Sequence, residues 1–170
     1  WVFYFFRDPG RQPEVSGGEW ILAPADGVIT RIDTLDEAHF FNGPVQRVVI
    51  FLSIFNVHVQ RAPYAGSVQA IRYQKGGFAP AFLESAQENE SNFIGLTTSR
   101  GPLAIKQMTG ILARRIVCRV KEGDDLSAGQ RVGLIKFGSR VDLLLPLDVE
   151  ITAQTGQKVR GGQTIVARWV

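Results

Sequence analysis

The sequence contains few of the residues that build disulfides, redox centres and metal sites. Its 170 residues include only one cysteine and two histidines. The single cysteine, Cys118, excludes an internal disulfide and a multi-cysteine metal centre, and its position in an apolar run indicates a small core residue. P-loop, GxGxxG, CxxC and HExxH motifs are also missing, so the sequence predicts no nucleotide site and no bound metal.

Long runs of one residue class are missing as well. No apolar stretch reaches the roughly 18 residues that a membrane-spanning helix requires. No run of five lysines or arginines occurs, so we do not expect a nucleic-acid partner. The formal net charge of +3 and the isoelectric point of about 9.3 instead favour binding to an anionic lipid surface.

The N-terminus is rich in aromatic residues. Five of residues 1–6 carry aromatic rings, and the segment has neither the basic region nor the start Met of a signal peptide. We interpret it as the end of a longer hydrophobic N-terminus or as a first strand packed into the core, and the two interpretations are compatible. Aromatic rings favour the headgroup boundary of a bilayer. We therefore expect a peripheral, monotopic protein on the cytoplasmic side of the cell membrane.

The residue pattern is dominated by strand signals. The composition, 45% apolar and 21% charged, is that of a globular protein, and the length fits a single domain over residues 1–170. Only residues 80–88 have a helical pattern, which makes the predicted fold all-β or β-rich with few short helices. In one predicted strand we expect Val68, Ala70 and Arg72 to share a face. The predicted strands are residues 45–53, 67–73, 111–120, 131–137, 141–145 and 164–169.

A short internal repeat indicates the type of β fold. Residues 123–132 and 156–165 share the pattern Gly-x-x-apolar-x-small-Gly-Gln-x-apolar. Each glycine can turn the chain, and the apolar residue between them can enter the core. Lipoyl and biotinyl carrier domains and related sandwich barrels use this loop, and residues 23–29 resemble the start of a strand in the same architecture. The repeat predicts a sandwich-barrel fold but no particular chemistry.

The pair Gly138-Ser139 is the first candidate for chemistry. It interrupts an apolar run, whereas the other Gly-Ser pair, Gly66-Ser67, follows an ordinary turn. A flexible residue beside a hydroxyl, held between two strands, can carry a strained peptide bond. The Ser139 oxygen could then attack the unshielded Gly138 carbonyl, and elimination and hydrolysis would leave a pyruvoyl group. A simple strand turn also explains this spacing, so the pair alone does not decide.

His58 is the candidate for proton transfer. With Asn56 and Gln60 it forms a polar stripe on one face of a strand, and an imidazole can transfer protons near neutral pH. The alternative is a solvated strand face. Asp26 is a second candidate, although an aspartate before Gly27 is also typical of a turn.

A glycine pair marks a candidate substrate site. Gly76, Gly77 and Phe78 precede the predicted helix, where backbone N–H groups can meet a phosphate. We expect these three residues to bind substrate, with Phe78 near the opening of the site.

Taken together, these segments resemble the phosphatidylserine decarboxylase family, in its short bacterial and archaeal form. The matching stretches occur in order over nearly the whole chain, and they are specific jointly although each is weak alone. They are residues 5–9 (FFRDP), 23–27 (APADG), 51–63, 76–82 and 137–142 (FGSRVD).

The resemblance implies an enzyme that makes its own pyruvoyl cofactor. Cleavage between Gly138 and Ser139 would give a β chain of residues 1–138 and an α chain of residues 139–170, with Ser139 converted into the pyruvoyl group. The amine of phosphatidylserine would condense with that ketone, which drains electrons from the bond to the carboxylate, so that CO₂ and phosphatidylethanolamine are released. The resemblance also implies that Asp26 supports cleavage and that a histidine activates Ser139. We expect the β and α chains to stay associated on a phosphatidylserine-containing membrane, and we leave open whether such units form a homodimer.

The chain departs from longer family members at two positions. Arg61 stands where they have a second histidine, three residues after His58, and Arg140 stands where the larger members have threonine after Gly-Ser. Either His58 serves both cleavage and decarboxylation, or another residue is the cleavage base.

Three other functions remain open at this point. The substrate could be an archaeal-type ether lipid with the same serine headgroup. The domain could be a non-catalytic carrier or scaffold, although neither Lys136 nor Lys158 sits at a hairpin tip as a carrier lysine does. A pyruvoyl enzyme for a soluble amino acid is disfavoured by the aromatic N-terminus.

Overall fold

The described part of the protein is built from β-strands. The computed structural model describes residues 18–53, 55–56, 58–76, 89–110, 115–135 and 138–170. Within these ranges it contains no helix, and hence none that could cross a membrane. The prediction of a β-rich sandwich barrel is confirmed, whereas the predicted helix at 80–88 and the aromatic residues 1–6 lie outside the described residues. The strands are β1 Trp20–Leu22, β2 Gly27–Glu37, β3 Gly43–Leu52, β4 Val59–Arg61, β5 Gly66–Gln74, β6 Ser91–Thr98, β7 Gly101–Thr109, β8 Ile116–Cys118, β9 Asp125–Leu126, β10 Arg131–Ile135, β11 Ser139–Leu145, β12 Glu150–Ile151, β13 Lys158–Val159 and β14 Ile165–Arg168.

Eight of these strands form one curled antiparallel sheet. Their order is β13-β2-β3-β11-β7-β6-β5-β9, and two three-stranded sheets, β1-β14-β12 and β4-β10-β8, accompany it. Successive side chains of β11 point to opposite faces of the sheet. Ser139 shares a face with Val141 and Leu143, which belong to the main core, and Arg140 lies on the other face. We call the face of the large sheet that carries Val141 the inner face. The opposite face, which carries Arg140 and Leu144, is the outer face.

At one end of the large sheet Ser139 begins β11, Asp26 precedes β2 and Gly76 follows β5. Strands β2, β6 and β11 begin there, and β3, β5 and β7 end there. A single cross-strand row runs along this end through Val28, Phe51, Arg140, Met108, Ser91 and Gln74. We call it the site end of the sheet.

The internal repeat forms two equivalent loops, as its pattern predicts. Gly123 and Gly156 adopt φ angles of 94° and 91°, and Gly129 and Gly162 adopt 82° and 72°. L-residues rarely occupy this left-handed region, which explains the glycines. Each loop pairs with a strand of the large sheet, the first with β5 and the second with β2.

Residues 22–29 and 61–68 are a second pair of segments with similar sequences. Both segments read Ala-Pro-x-x-Gly after their first residue. The Leu22 N–H donates to the Pro63 carbonyl at 2.9 Å, and the Arg61 N–H donates to the Pro24 carbonyl at 2.8 Å. The two turns therefore exchange matched hydrogen bonds across a local pseudo-twofold arrangement, and each leads into a strand of the large sheet.

Two local predictions need correction. The shared face of Val68, Ala70 and Arg72 is wrong, because the register of β5 shifts between Val68 and Ala70. The bulge forms where the first repeat loop bonds to both backbone groups of Val68, and it brings Ile71 against the core. The predicted strand at 111–120 is right only for β8, since residues 111–114 lie outside the described part.

Candidate functional site

Ser139 occupies the centre of the large sheet at its site end. It begins β11, where its backbone lies opposite Leu52 of β3 and Thr109 of β7. The side chain is fully buried, and among the described residues none forms a hydrogen bond with its Oγ. Burying a hydroxyl without a hydrogen bond costs about 1–3 kcal/mol. Packing alone would favour alanine at this position, so the hydroxyl indicates a chemical role.

Gly138 enters this strand in a conformation that suits glycine. Its φ angle is 45°, in the left-handed region, while a Cβ added here would meet no atom of the described residues within 4 Å. The conformation, and not crowding, therefore disfavours a larger residue.

His58 lies beside the chain segment that leads to Gly138. It is 2% exposed and immediately precedes β4. Its carbonyl accepts a hydrogen bond from the Ile135 N–H at 3.1 Å, and Ile135 ends the strand that comes just before Gly138. His58 and Gln60 of the predicted polar stripe are buried, so the solvated-face alternative is wrong for them, whereas Asn56 lies in a turn and not on the predicted strand face.

One hydrogen bond fixes the tautomer of His58. Its Nδ1 lies 2.6 Å from the carbonyl oxygen of Asn56. A carbonyl oxygen can only accept, so Nδ1 carries the proton and the neutral ring keeps its lone pair on Nε2. Asn56 is itself held in a turn, because its Oδ1 accepts hydrogen bonds from the backbone N–H and the hydroxyl of Ser53.

A chain of buried amides supports the backbone of His58. Gln60 donates from Nε2 to the His58 carbonyl at 2.7 Å and accepts at Oε1 from Gln107 Nε2 at 2.8 Å. Gln107 accepts at Oε1 from Asn92 Nδ2 at 3.1 Å. The bond between Gln60 and Gln107 joins the β4 sheet to the large sheet across the core. The sequence pattern identified Gln60 as a polar neighbour of His58 but gave no sign of Gln107 or Asn92.

Asp26 lies at the same end of the sheet, just before β2. Its Oδ1 accepts a hydrogen bond from the Gly161 N–H at 2.8 Å, and the residue is 7% exposed. Strands β2 and β11 are separated by β3, so two strand spacings, roughly 10 Å, lie between the strands of Asp26 and Ser139. The sheet thus places both residues at one end without placing them on adjacent strands.

A cavity of about 790 Å³ opens beside Asp26. This volume is within the usual range of small-molecule sites. Its lining includes Ser53 and Asn56 from the turn that holds His58, and the exposed cations Lys158 and Arg160. The cavity therefore combines a carboxylate wall with a cationic wall that can attract an anionic group.

Of the three residues predicted to bind substrate, the structure describes only Gly76. Gly76 lies just beyond the end of β5, on the site end of the sheet, and it is exposed. Strands β7 and β6 separate it from Ser139's strand. Gly77 and Phe78 lie outside the described residues.

The two family departures have structural explanations. Arg61 donates from Nη1 to the Gly129 carbonyl at 3.0 Å, and its side chain packs on Gly162, so it joins the two repeat loops. Arg140 faces away from Ser139 and forms two hydrogen bonds with the Asp142 carboxylate, at 2.8 and 3.0 Å. Arginine stays protonated in proteins, so neither residue can be the cleavage base. The other histidine, His39, lies in the turn between β2 and β3, at the opposite end of the sheet.

The sequence is similar to known proteins over nearly its whole length. A model of the phosphatidylserine decarboxylase family matches residues 1–167. A phosphatidylserine decarboxylase proenzyme of Carboxydothermus hydrogenoformans is 45% identical over 98% of this chain and 79% of its own length. The proteins of the same name from Magnetococcus marinus and Desulfotalea psychrophila are 44% and 45% identical, over 99% and 98% of this chain and 78% of their own lengths. Since the family model and these relatives both extend over nearly all of the sequence, the chain belongs to the phosphatidylserine decarboxylase family.

Proposed function

We propose that this protein cleaves itself between Gly138 and Ser139 and then decarboxylates phosphatidylserine to phosphatidylethanolamine and CO₂ through a pyruvoyl group. The observation that carries this proposal is the Ser139 hydroxyl, which is buried, forms no hydrogen bond with any described residue and directly follows a left-handed glycine. Family membership and relatives named as proenzymes support the same conclusion.

The cleavage needs no reagent besides water. Ser139 Oγ attacks the Gly138 carbonyl carbon, the C–N bond breaks, and the acyl group moves from nitrogen to oxygen. Loss of the Cα proton then expels the Gly138 carboxylate and leaves a dehydroalanine at position 139. Addition of water to its imine form releases ammonia and gives the pyruvoyl end of an α chain that spans residues 139–170.

Position 139 suits such a group. A ketone has acceptors only, so conversion removes the one O–H donor that the buried site leaves without a partner. Formed there, a pyruvoyl group supplies the carbonyl that accepts the substrate amine and the electron sink for the departing carboxylate. The surrounding core residues Val141 and Leu143 exclude water from this part of the strand.

His58 is the proposed proton carrier. With Nδ1 held by the Asn56 carbonyl, the lone pair on Nε2 is available to take the Ser139 hydroxyl proton during cleavage. The same nitrogen can later return a proton to the substrate carbon after CO₂ has left. A single histidine then serves both steps. This agrees with the position of Arg61, whose side chain joins the two repeat loops.

Asp26 and the cavity beside it are the proposed headgroup region. Lys158 and Arg160 can attract the phosphodiester of an anionic phospholipid, because both are exposed cations on its wall. We further propose that the aromatic residues 1–6 attach the enzyme to the bilayer surface as a monotopic protein, with the β and α chains remaining together after cleavage.

Experiments with lipid vesicles test the proposed substrate and the proposed membrane attachment. Wild-type protein incubated with phosphatidylserine vesicles should release CO₂ and form phosphatidylethanolamine, and Ser139→Ala should form none. Co-sedimentation with the vesicles should weaken when Phe3, Phe5 and Phe6 are replaced by Ser. Absence of turnover by a fully cleaved wild type would contradict the proposed substrate. Unchanged sedimentation of the triple variant would contradict the proposed anchor.

A further inference from the structure

A second cavity lies on the outer face of the large sheet, on the side opposite Ser139. Its volume is about 330 Å³, and its lining extends from Glu37 and His39 at the far end of the sheet to Ser91 and Gln74 in the site-end row. One part of its wall is apolar and includes Leu35, Phe93 and Leu144. Another part carries the cations Arg72 and Lys106.

Most of the carboxylates near this cavity already have partners. Asp33 accepts two hydrogen bonds from Arg47, at 2.8 and 2.6 Å, and Asp142 accepts two from Arg140. The Glu37 carboxylate accepts the backbone N–H groups of His39, Phe40 and Phe41 at 2.6–2.9 Å.

Lys106 differs from these groups. It is half-buried, and in the described part of the chain its ammonium forms no hydrogen bond and no ion pair within 4.0 Å. Desolvation lowers the pKa of Lys106, the nearby Arg140 and Arg47 lower it further, and Asp142 and Glu37 oppose the shift. An ammonium has three donors and is costly to desolvate without acceptors, so this position favours an incoming anion.

The charges of the cluster around the cavity also favour an anion. The lining itself carries three cations, Arg47, Arg72 and Lys106, and three carboxylates, those of Asp36, Glu37 and Asp142. Arg31, Arg140 and Asp33 interact with these groups and complete the charged cluster. Five cations against four carboxylates leave one excess positive charge, which a single negative charge would neutralise. A singly charged group fits this balance better than a phosphate monoester, which is close to doubly charged at neutral pH.

We propose that the outer-face cavity binds a singly charged anionic group attached to an apolar body. Lys106 and Arg72 contact the charge, and Leu35, Phe93 and Leu144 contact the apolar part. Two natural sources share this chemistry, the phosphodiester of a glycerophospholipid and the carboxylate of a fatty acid. Because the cavity opens on the face opposite Ser139, this binding is separate from the proposed catalysis.

Calorimetric titration of the full-length cleaved protein tests the site. The probes are dihexanoylphosphatidylglycerol below its micellar concentration and, separately, octanoate. At least one should bind, and Lys106→Met, which keeps a similar volume, should weaken that binding tenfold or more. Lys121→Met removes an exposed charge away from the cavity and is the matched control; it should bind like the wild type.

The pattern of binding identifies the source. Binding of the phosphatidylglycerol alone indicates a lipid headgroup site, and binding of octanoate alone indicates a fatty-acid site. Arg72→Gln, at the rim, should weaken the same ligand by a smaller factor. No binding of either probe at millimolar concentration, or equal binding by wild type and Lys106→Met, would overturn the proposal.

Discussion

Asp26 occupies the same place in the first turn of the fold that Ala65 occupies in the second. The two turns exchange matched backbone hydrogen bonds, and each ends in a glycine whose Cβ would collide with a carbonyl of the neighbouring strand, Gly27 with Phe51 and Gly66 with Thr97. The second turn forms with an uncharged methyl side chain. The turn itself therefore does not require a carboxylate at position 26, where Oδ1 accepts the Gly161 N–H.

Asp26→Asn should slow self-cleavage while leaving the fold intact. Asparagine keeps an acceptor for the Gly161 N–H and removes only the negative charge. A time course of intact mass after synthesis measures the rate, and we expect a reduction of roughly tenfold or more, in the range of general acid–base effects. Asp125→Asn, on an exposed strand end, is the control. Cleavage of Asp26→Asn at the wild-type rate would remove the carboxylate charge from the mechanism.

His58→Ala should abolish lipid turnover. If His58 is also the cleavage base, the variant should persist as one uncut chain, because the proposed acceptor of the Ser139 hydroxyl proton is then missing. If another group performs cleavage, the variant should be cut but inactive. Mass spectrometry and a CO₂-release assay separate these outcomes. Normal turnover by a processed His58→Ala protein would exclude His58 from both steps.

Gln107→Leu should destabilise the fold through the amide chain. It leaves Gln60 Oε1 and Asn92 Nδ2 buried without their partner. Each group costs roughly 1–3 kcal/mol, so we expect a loss of about 2–6 kcal/mol. Urea unfolding in the uncleaved Ser139→Ala background keeps the measurement on one chain. The exposed Gln69→Leu is the control. A change within about 0.5 kcal/mol, as for an ordinary surface substitution, would mean that the chain of amides does not support His58.

Lys106→Met should stabilise the protein near neutral pH. The pKa of Lys106 in the fold lies below the ordinary 10.5, mainly through desolvation, so the unfolded chain holds this proton more tightly than the fold does. The free energy of unfolding of the wild-type protein therefore rises with pH between the lowered pKa of Lys106 and 10.5. The extra stability of Lys106→Met over the wild type should shrink across that pH range. Urea midpoints at neutral pH and near pH 10 check this, and an advantage that stays constant would contradict it.

The sequence predicted the sheet best where strands carry a continuous apolar run. β3 and β11 contain the apolar runs VVIFL and LLL, and their predicted ranges lie within a few residues of the structure. β6 and β7 were missed, because Asn92 and Gln107 place amides on the inner face and break the apolar pattern. Those amides are also the support of His58. The pattern therefore failed at the strands that help build the site, where the core departs from simple apolar packing.

The site residues were identifiable from the sequence through their motifs, but their environment was not. Nothing local indicates that Ser139 would be fully buried, because its burial depends on strands far apart in the chain. The hydrogen bond between the Asn56 carbonyl and His58 is local, but the predicted strand through both residues did not include the turn that forms it. The role of Arg61 likewise depends on two glycine loops, the nearer of which lies 68 residues away.

Intact-mass spectrometry of the purified protein tests the central claim most directly. The account predicts two chains, residues 1–138 and 139–170, with a pyruvoyl group that blocks the N-terminus of the shorter one, and it predicts that Ser139→Ala stays as a single chain of 170 residues. A wild-type protein that decarboxylates phosphatidylserine while remaining one uncut chain would contradict it.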